Sequence, residues 1–238
     1  MSAAVERLQT TLWEAYAHVY DGLLDLFTYR DMLDLVAREA DCAGRRVLDV
    51  GAGTGNVTRA LLASGAAHVT SVDASANMLA RARRKLAPDV AAGRVDVVHA
   101  DAVRAMSQLP DGSMDRITAV NFLYVLEDRA PFFEQAARVL APGGWLVAAH
   151  TTRPGAGPIV RDQYRRGGLA AMVRPRLLGV AVVDAVIDLL AKGGRFDFAP
   201  VERIAEDAAR AGLGRTRSLG RCYGGDADGV NELLLVAA

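Results

Sequence analysis

An acid, three alternating glycines and two further acids close successive strand-like runs in the first half of the chain. Val47–Asn56 reads VLDVGAGTGN, with Asp49 ending an apolar run and Gly51, Gly53 and Gly55 following it. Glycines there allow a ligand to lie against the main chain at the carboxyl end of a buried strand. Asp73 ends the next run about 20 residues on, a spacing at which one carboxylate accepts both hydroxyls of a ribose. Asp101 and Ala102 follow the third run, and Asn121 and Phe122 the fourth. A dinucleotide fingerprint, G-x-G-x-x-G, would set its third glycine one residue later and aim a helix at pyrophosphate, so this ligand need not carry phosphate. Singly, a glycine run is also a tight turn and a strand-end acid is also a helix cap. That reading leaves the ordered series unexplained, while fold alone leaves a nucleotide-sugar or nicotinamide ligand open.

These residues must be held by alternating strands and helices. From Arg46 onward, β-branched runs ending at Val50, Asp73, Ala100, Asn121 and Thr151 alternate with helical segments Val57–Ala63, Ala76–Leu86 and Pro131–Leu140. That alternation predicts βαβ units around a mainly parallel, doubly wound α/β sheet. Ser75 is placed to cap the second helix, and Pro142-Gly143-Gly144 to stop the third. A further helix, Pro200–Ala211, precedes two runs, RTRSLGRCYG and VNELLLVA, that read as an antiparallel edge pair turning between Gly224 and Gly229. Residues 1–42 read as an N-terminal helical lid and 153–199 as a helical cap inserted after the fifth strand, all within one domain spanning 1–238.

The segment from Arg46 to Thr151 resembles the class I S-adenosylmethionine-dependent methyltransferases of small-molecule type, on VLDVGAGTGN, Asp73, Asp101-Ala102, NFLYVLED and LAPGG together. The resemblance implies a Rossmann-like fold and S-adenosyl-L-methionine as cofactor. It implies that Asp49 helps hold the methionyl amine, that Gly51, Ala52 and Gly53 bring main chain beside the methionyl group, and that Asp73 with Ala74 takes the ribose. Asp101 and Ala102 would recognise adenine, with Met78 and Leu79 as its apolar face. Asn121 and Phe122 would border the sulfonium.

Methyl transfer from a sulfonium needs chiefly a positioned nucleophile and excluded water, so a base is optional. Tyr16, His18 and His150 are candidates by type. Trp13, Tyr16 and Tyr20 fall on one helical face. In the resembling enzymes this region folds over the cofactor, which places Tyr16 and Tyr20 in the transfer chamber, where ring faces favour a sulfonium; the same stripe also suits plain core packing. Arg30 suits either the cofactor carboxylate or a solvated ion pair. His150 ends the fifth strand, where ligand loops converge, and suits a substrate contact or a satisfied core position. His68 and His99 read as structural.

The inserted cap carries Arg153, Arg161, Arg165, Arg166, Arg174 and Arg176, an anion site or a solvated helix face. Tyr164, Met172 and Phe196 are candidates for an apolar pocket. Leu178–Lys192 shows one polar stripe, Asp184, Asp188 and Lys192, on an otherwise apolar helix, which suits a homodimer contact.

Lys plus Arg and Asp plus Glu number 28 each in 238 residues, which gives no electrostatic reason for a nucleic-acid or membrane partner. Cys42 and Cys222 lack metal-ligand spacing, and the four histidines are scattered, so no metal is expected. The start, MSAAVERLQTTLWEAY, has no basic-then-apolar leader, and no apolar stretch reaches the ~20 residues of a span; a cytoplasmic enzyme with a small-molecule acceptor is the expectation. Two other readings use the same cofactor site: intramolecular cyclisation or aminocarboxypropyl transfer with loss of methylthioadenosine, and a noncatalytic regulatory subunit.

Overall fold

The computed structural model describes residues 13–153, 156–182, 196–224 and 229–238. Seven strands form one sheet: β1 Arg46–Val50, β2 His68–Asp73, β3 Val95–His99, β4 Met114–Val120, β5 Leu140–Thr151, β6 Thr216–Cys222 and β7 Asn231–Ala237. Their spatial order is β3-β2-β1-β4-β5-β7-β6. The first five run parallel, while β7 lies antiparallel between β5 and β6. The runs RTRSLGRCYG and VNELLLVA thus pair as expected, and the later of the two is the inner strand.

Alternate residues of the central strands serve two cores, as the two-residue strand period requires. Val47, Val147, Ala149 and Leu233 belong to one face. Leu48, Ile117, Ala119, Leu146, Ala148 and Leu234 belong to the other. The first face is covered by α1 Phe27–Ala40, α2 Asn56–Ala63 and α3 Ala76–Lys85. The second is covered by α5 Ala102–Ser107, α6 Ala130–Val139 and α8 Val201–Arg210, with the short α4 Ala87–Ala91 leading into β3.

Ser75 caps α3 as its type predicts, its hydroxyl accepting from Met78 N at 3.3 Å. The LAPGG segment is not a free turn. β5 already begins at Leu140, and the register moves from Met114↔Leu140 to Arg116↔Trp145, so Ala141–Gly144 forms a bulge at the strand's start. Gly144 is required there, because a Cβ would lie 2.8 Å from the carbonyl oxygens of Ala141 and Asp115.

Before α1, residues 13–16 are helical and Tyr20–Asp25 forms a 3-10 turn, so the aromatic stripe bends after Tyr16 instead of continuing one helix. In the cap, α7 Gly157–Met172 and residues 175–182 are helical, with α7 kinked at Gly168 (φ 61°). The polar stripe at Asp184, Asp188 and Lys192, the first residues of the chain and part of the Gly224–Gly229 turn lie outside the described residues.

Candidate functional site

The strand order reverses between β1 and β4, and an open α/β sheet opens a crevice at the carboxyl ends of such strands. A cavity of about 460 Å³ occupies that place. Gly51 (φ 66°) and Gly53 (φ 55°) carry the main chain across its floor in the left-handed region. A Cβ on Gly51 would lie 2.7 Å from Phe122 Cδ2, so only glycine lets the loop and the β4 turn approach.

Asp73 is fixed at the end of β2 by two main-chain donors, Gly53 N to Oδ2 and Ser75 N to Oδ1, each 2.8 Å. Burial raises its pKa above the ordinary value, and these two amides work against that rise. Each oxygen keeps a lone pair for a ribose hydroxyl. Asp101 caps α5, Oδ1 accepting Arg104 N at 3.1 Å, and Ala102 lies beside it in the cavity wall. Ala74 lines the cavity too, its carbonyl met by His99 Nε2 at 3.0 Å. Met78 packs under Tyr16 in a small apolar cluster that closes this end of the cavity.

The segment before α1 arrives as a chain of rings. Trp13 stacks on Tyr16 (5.9 Å), Tyr16 meets Tyr20 edge-on (5.1 Å), and Tyr20 meets Tyr29 edge-on (6.5 Å). The Tyr20 ring lies 3.8 Å from the position a Gly53 Cβ would take. Burial, then the neighbouring Tyr29, raises the Tyr20 pKa well above 10, so its hydroxyl is a donor and not a phenolate.

One polar clamp ties this segment to the glycine loop. Lys85 Nζ donates to Asp21 Oδ1 (2.7 Å), Thr54 Oγ1 (3.1 Å) and Asn56 Oδ1 (2.5 Å), and Thr54 Oγ1 donates to Asp21 Oδ1 (2.6 Å). Burial alone would raise the Asp21 pKa; the bonds from Lys85 and Thr54 outweigh it and hold the carboxyl low.

Beyond Phe122 the cavity continues toward β5 and β7. Its wall there includes Tyr124, stacked on Phe198 (5.3 Å, 15°), with Ile159, Tyr223 and Val230. Its floor is polar, made by Asn121, Thr151 and Asn231.

Tyr16, Tyr20, Gly51, Gly53, Asp73, Ala74, Met78, Asp101, Ala102, Asn121 and Phe122 are therefore brought together around one cavity. Six expected residues are not, among them His18, which is exposed with its Nδ1 2.9 Å from Arg81. Asp49 is 1% exposed under the loop, where both oxygens are taken by the hydroxyls of Thr58 (2.7 Å) and Thr118 (2.8 Å); burial pushes its pKa up to about 6. Ala52 turns into the interior while its amide bonds Val72 O (3.0 Å), and Leu79 packs wholly in the core. Arg30 is exposed, donating to Leu24 O (3.3 Å) and lying over Phe27. His150 is fully buried, and its Nε2 meets Ala199 O at 2.9 Å. A carbonyl only accepts, so Nε2 carries the proton; burial lowers the ring's pKa, and among the described residues Nδ1 has no partner.

The cap's arginines disperse likewise. Arg166 pairs with Asp31 and Asp162, Arg174 pairs with Asp25 at 3.3 Å, and Arg153 lines the cavity. Tyr164 points to solvent, Phe196 packs against Tyr124 from outside the cavity, and Met172 does not line the cavity. Thr151, Asn231, Tyr124, Phe198 and Tyr223 escape sequence reasoning. Only Thr151 carried a signal, as the end of a strand run.

A family model described as a methyltransferase domain matches residues 48–148. The demethylmenaquinone methyltransferase of Clavibacter sepedonicus is 42% identical over 127 residues, 52% of this chain and 48% of that protein. The ubiquinone biosynthesis O-methyltransferase of Paracidovorax citrulli is 30% identical over 175 residues, 69% of this chain and 71% of that one. The chain thus spans about half the length of the first relative and over two thirds of the second. Among solved structures, a SAM-dependent methyltransferase from Aquifex aeolicus superposes with a TM-score of 0.55 at 18% identity, covering 90% of both chains.

Proposed function

We propose that this chain, which belongs to the class I S-adenosylmethionine-dependent methyltransferases, transfers the cofactor's methyl group to a small-molecule acceptor held in the β5–β7 half of the cavity. The observation that carries this reading is the continuity of one cavity across Gly51, Phe122 and Asn121. Ribose- and adenine-type contacts lie on one side, and an aromatic and amide-lined chamber lies on the other. When bound, S-adenosyl-L-methionine supplies an activated methyl on a sulfonium. The chain's own residues position and desolvate. Asp73 receives the ribose hydroxyls, Asp101 and Ala102 the adenine edge, and Met78 its face. Gly51 and Gly53 admit the methionyl portion, and Tyr16 and Tyr20 close over it, their ring faces favouring the cation. Asp49 stiffens the loop from below.

No histidine lines the cavity among the described residues, and Tyr20 stays protonated. An acceptor that ionises readily, such as a ring hydroxyl or an enol, suits such a chamber. The relatives named for quinone precursors are consistent with that class. The presence of an acceptor chamber favours transfer over self-cyclisation of the cofactor or a purely regulatory role. Among the described residues, 13–42 serve as lid and those between 153 and 199 as cap of one domain. Equal positive and negative charge supports no nucleic-acid partner, and two unpaired thiols support a cytoplasmic setting. Among the described residues no helix is long and apolar enough to cross a membrane. Exposed Leu169, Val173, Leu178 and Val182 on the cap support self-association as a homodimer.

The test is incubation with S-adenosylmethionine, alone and with panels of phenols, enols and carboxylates, followed by mass spectrometry against Gly53→Arg. S-adenosylhomocysteine formed only with an acceptor bears the reading out. Methylthioadenosine formed without one, or tight cofactor binding with no turnover on any panel, overturns it.

A further inference from the structure

At the acceptor end of the cavity, the side chains of Asn121, just after β4, Thr151 of β5 and Asn231 of β7 make one network. Thr151 ends β5 and faces Asn231, the first residue of β7, across the antiparallel pair. Asn231 is fully buried, and its Nδ2 lies 3.3 Å from Ala149 O and 2.5 Å from Asn121 Oδ1. Thr151 Oγ1 lies 3.2 Å from both Asn121 Oδ1 and Asn231 Oδ1.

Carbonyl chemistry fixes the polarity of this network. A main-chain carbonyl only accepts, so Asn231 must turn its N–H2 toward Ala149. The second hydrogen of that nitrogen then points at Asn121, whose facing atom must be its oxygen. Asn121 is left with its own N–H2 aimed elsewhere. It lines the cavity, and among the described residues its Nδ2 has no hydrogen-bond partner. Its backbone sits at φ 53°, a left-handed conformation that asparagine tolerates better than most residues. That turn leads the side chain out of the strand's alternation and into the chamber.

We propose that Asn231 and Thr151 are positioning residues that lock the Asn121 amide with its two hydrogens toward the chamber, so that the acceptor is a ring-sized apolar molecule bearing a hydrogen-bond-accepting oxygen, of the conjugated carbonyl or enolate class. This rests on the methyl-transfer reading for the word acceptor, but the orientation of the amide does not depend on turnover. The apolar body lies against Tyr124 and Ile159, and the oxygen meets Asn121 Nδ2. Donation to an oxygen conjugated with the nucleophile also lowers the nucleophile's pKa, which suits a chamber without an ionised base.

The experiment uses the whole chain, asparagine-labelled with ¹⁵N and saturated with S-adenosylhomocysteine, with 1-tetralone and tetralin as probes. The two share one skeleton, and only the first carries a conjugated carbonyl. In the wild type, the Asn231 side-chain amide should be protected from hydrogen exchange and the Asn121 amide should exchange freely. Tetralone should shift the Asn121 amide resonances and bind about 10-fold more tightly than tetralin, as one good hydrogen bond allows. Asn231→Asp replaces the donor with a carboxylate, so Asn121 must turn its nitrogen toward it and present oxygen to the chamber. The tetralone preference should then vanish while S-adenosylhomocysteine affinity stays within about twofold. If that variant does not fold, Asn121→Ala should abolish the same preference. Equal binding of the two probes to the wild type, an Asn231→Asp protein that loses cofactor affinity instead of the preference, or an Asn121→Ala protein that keeps the preference, overturns the proposal. Either result leaves the methyl-release assay above to judge the reaction separately.

Discussion

Replacing Lys85 by methionine tests whether the lid is part of the cofactor site. Lys85 Nζ is the shared donor to Asp21 of the lid and to Thr54 and Asn56 of the glycine loop, at 2.5–3.1 Å. Its side chain is 15% exposed, and that of Asp21 is 36% exposed. A hydrogen bond to a charged group contributes about 1.5–3 kcal/mol, and the half-open setting of Asp21 points to the lower end. Thr54 remains as a partner for Asp21, so Lys85→Met should cost about 2 kcal/mol. For a chain of this size that is a fall in Tm of about 4–8 °C. Because the clamp holds the segment that carries Tyr20 over Gly53, most of this loss should reappear in binding, as a rise of about 10-fold or more in the Kd for S-adenosylhomocysteine. Calorimetry at 25 °C measures that, and Lys85→Arg should recover part of it. The Asp21 carboxyl is held low, so its contribution is present above its unfolded pKa of about 4 and is lost as pH falls through the lower folded value. A lower Tm with unchanged Kd would show that the lid is bound to the loop but irrelevant to the cofactor, and would refute the reasoning.

Burial of Asp49 makes the opposite prediction for pH. Its folded pKa of about 6 exceeds the ordinary 3.8, so the folded state binds the extra proton between these values and stability falls as pH rises through that window. Asp49→Asn should remove this dependence and, at pH 7, stabilise by up to about 3 kcal/mol, read from urea melts at pH 4, 5, 6 and 7. Gly51→Ala sets a Cβ 2.7 Å from Phe122 Cδ2 at φ 66°; a loss of about 1–3 kcal/mol in stability and no detectable S-adenosylhomocysteine binding are expected. Tyr20→Phe keeps the ring and should reduce kcat/KM less than about 10-fold with no change in the pH profile, whereas Tyr20→Ala should cost about 10- to 100-fold. His150→Leu leaves Ala199 O without its donor and should cost about 1–3 kcal/mol in a melt while kcat stays near wild type.

The residues that line the first half of the cavity were legible because each sits in a local strand–turn unit. Asp73 ends β2, Asp101 follows β3 by two residues and Asn121 follows β4 directly, and their position at the sheet's carboxyl edge follows from strand order alone. Two lesser contacts were hidden by the same rule applied too simply. Asp49 ends almost the same run as the glycines begin, yet Val47 and Asp49 share a face, and that face at β1 is covered by α2, whose Thr58 takes up the carboxylate. The lid clamp was also illegible, since Asp21, Thr54 and Lys85 meet across 64 residues of chain, and no periodicity announces such a meeting.

His150 and Asn231 show the limit most clearly. Both lie on neighbouring strands near the same edge, but β5 alternates: Val147, Ala149 and Thr151 face the side of α1 and the cavity, while Leu146, Ala148 and His150 face α6 and α8. Chemistry by residue type favours the histidine, whereas parity assigns its place to Thr151. Asn231 reaches the site only because β7 enters antiparallel beside β5, so that its first residue, not its last, sits at the ligand edge opposite Thr151. In a parallel sheet the ends of strands are the ends that matter, and a terminal asparagine at the start of a run signals only a cap. Reversal of one strand therefore converts an ordinary strand-opening residue into the anchor of the network with Thr151 and Asn121, and that reversal is fixed by the pairing of β5 with β7.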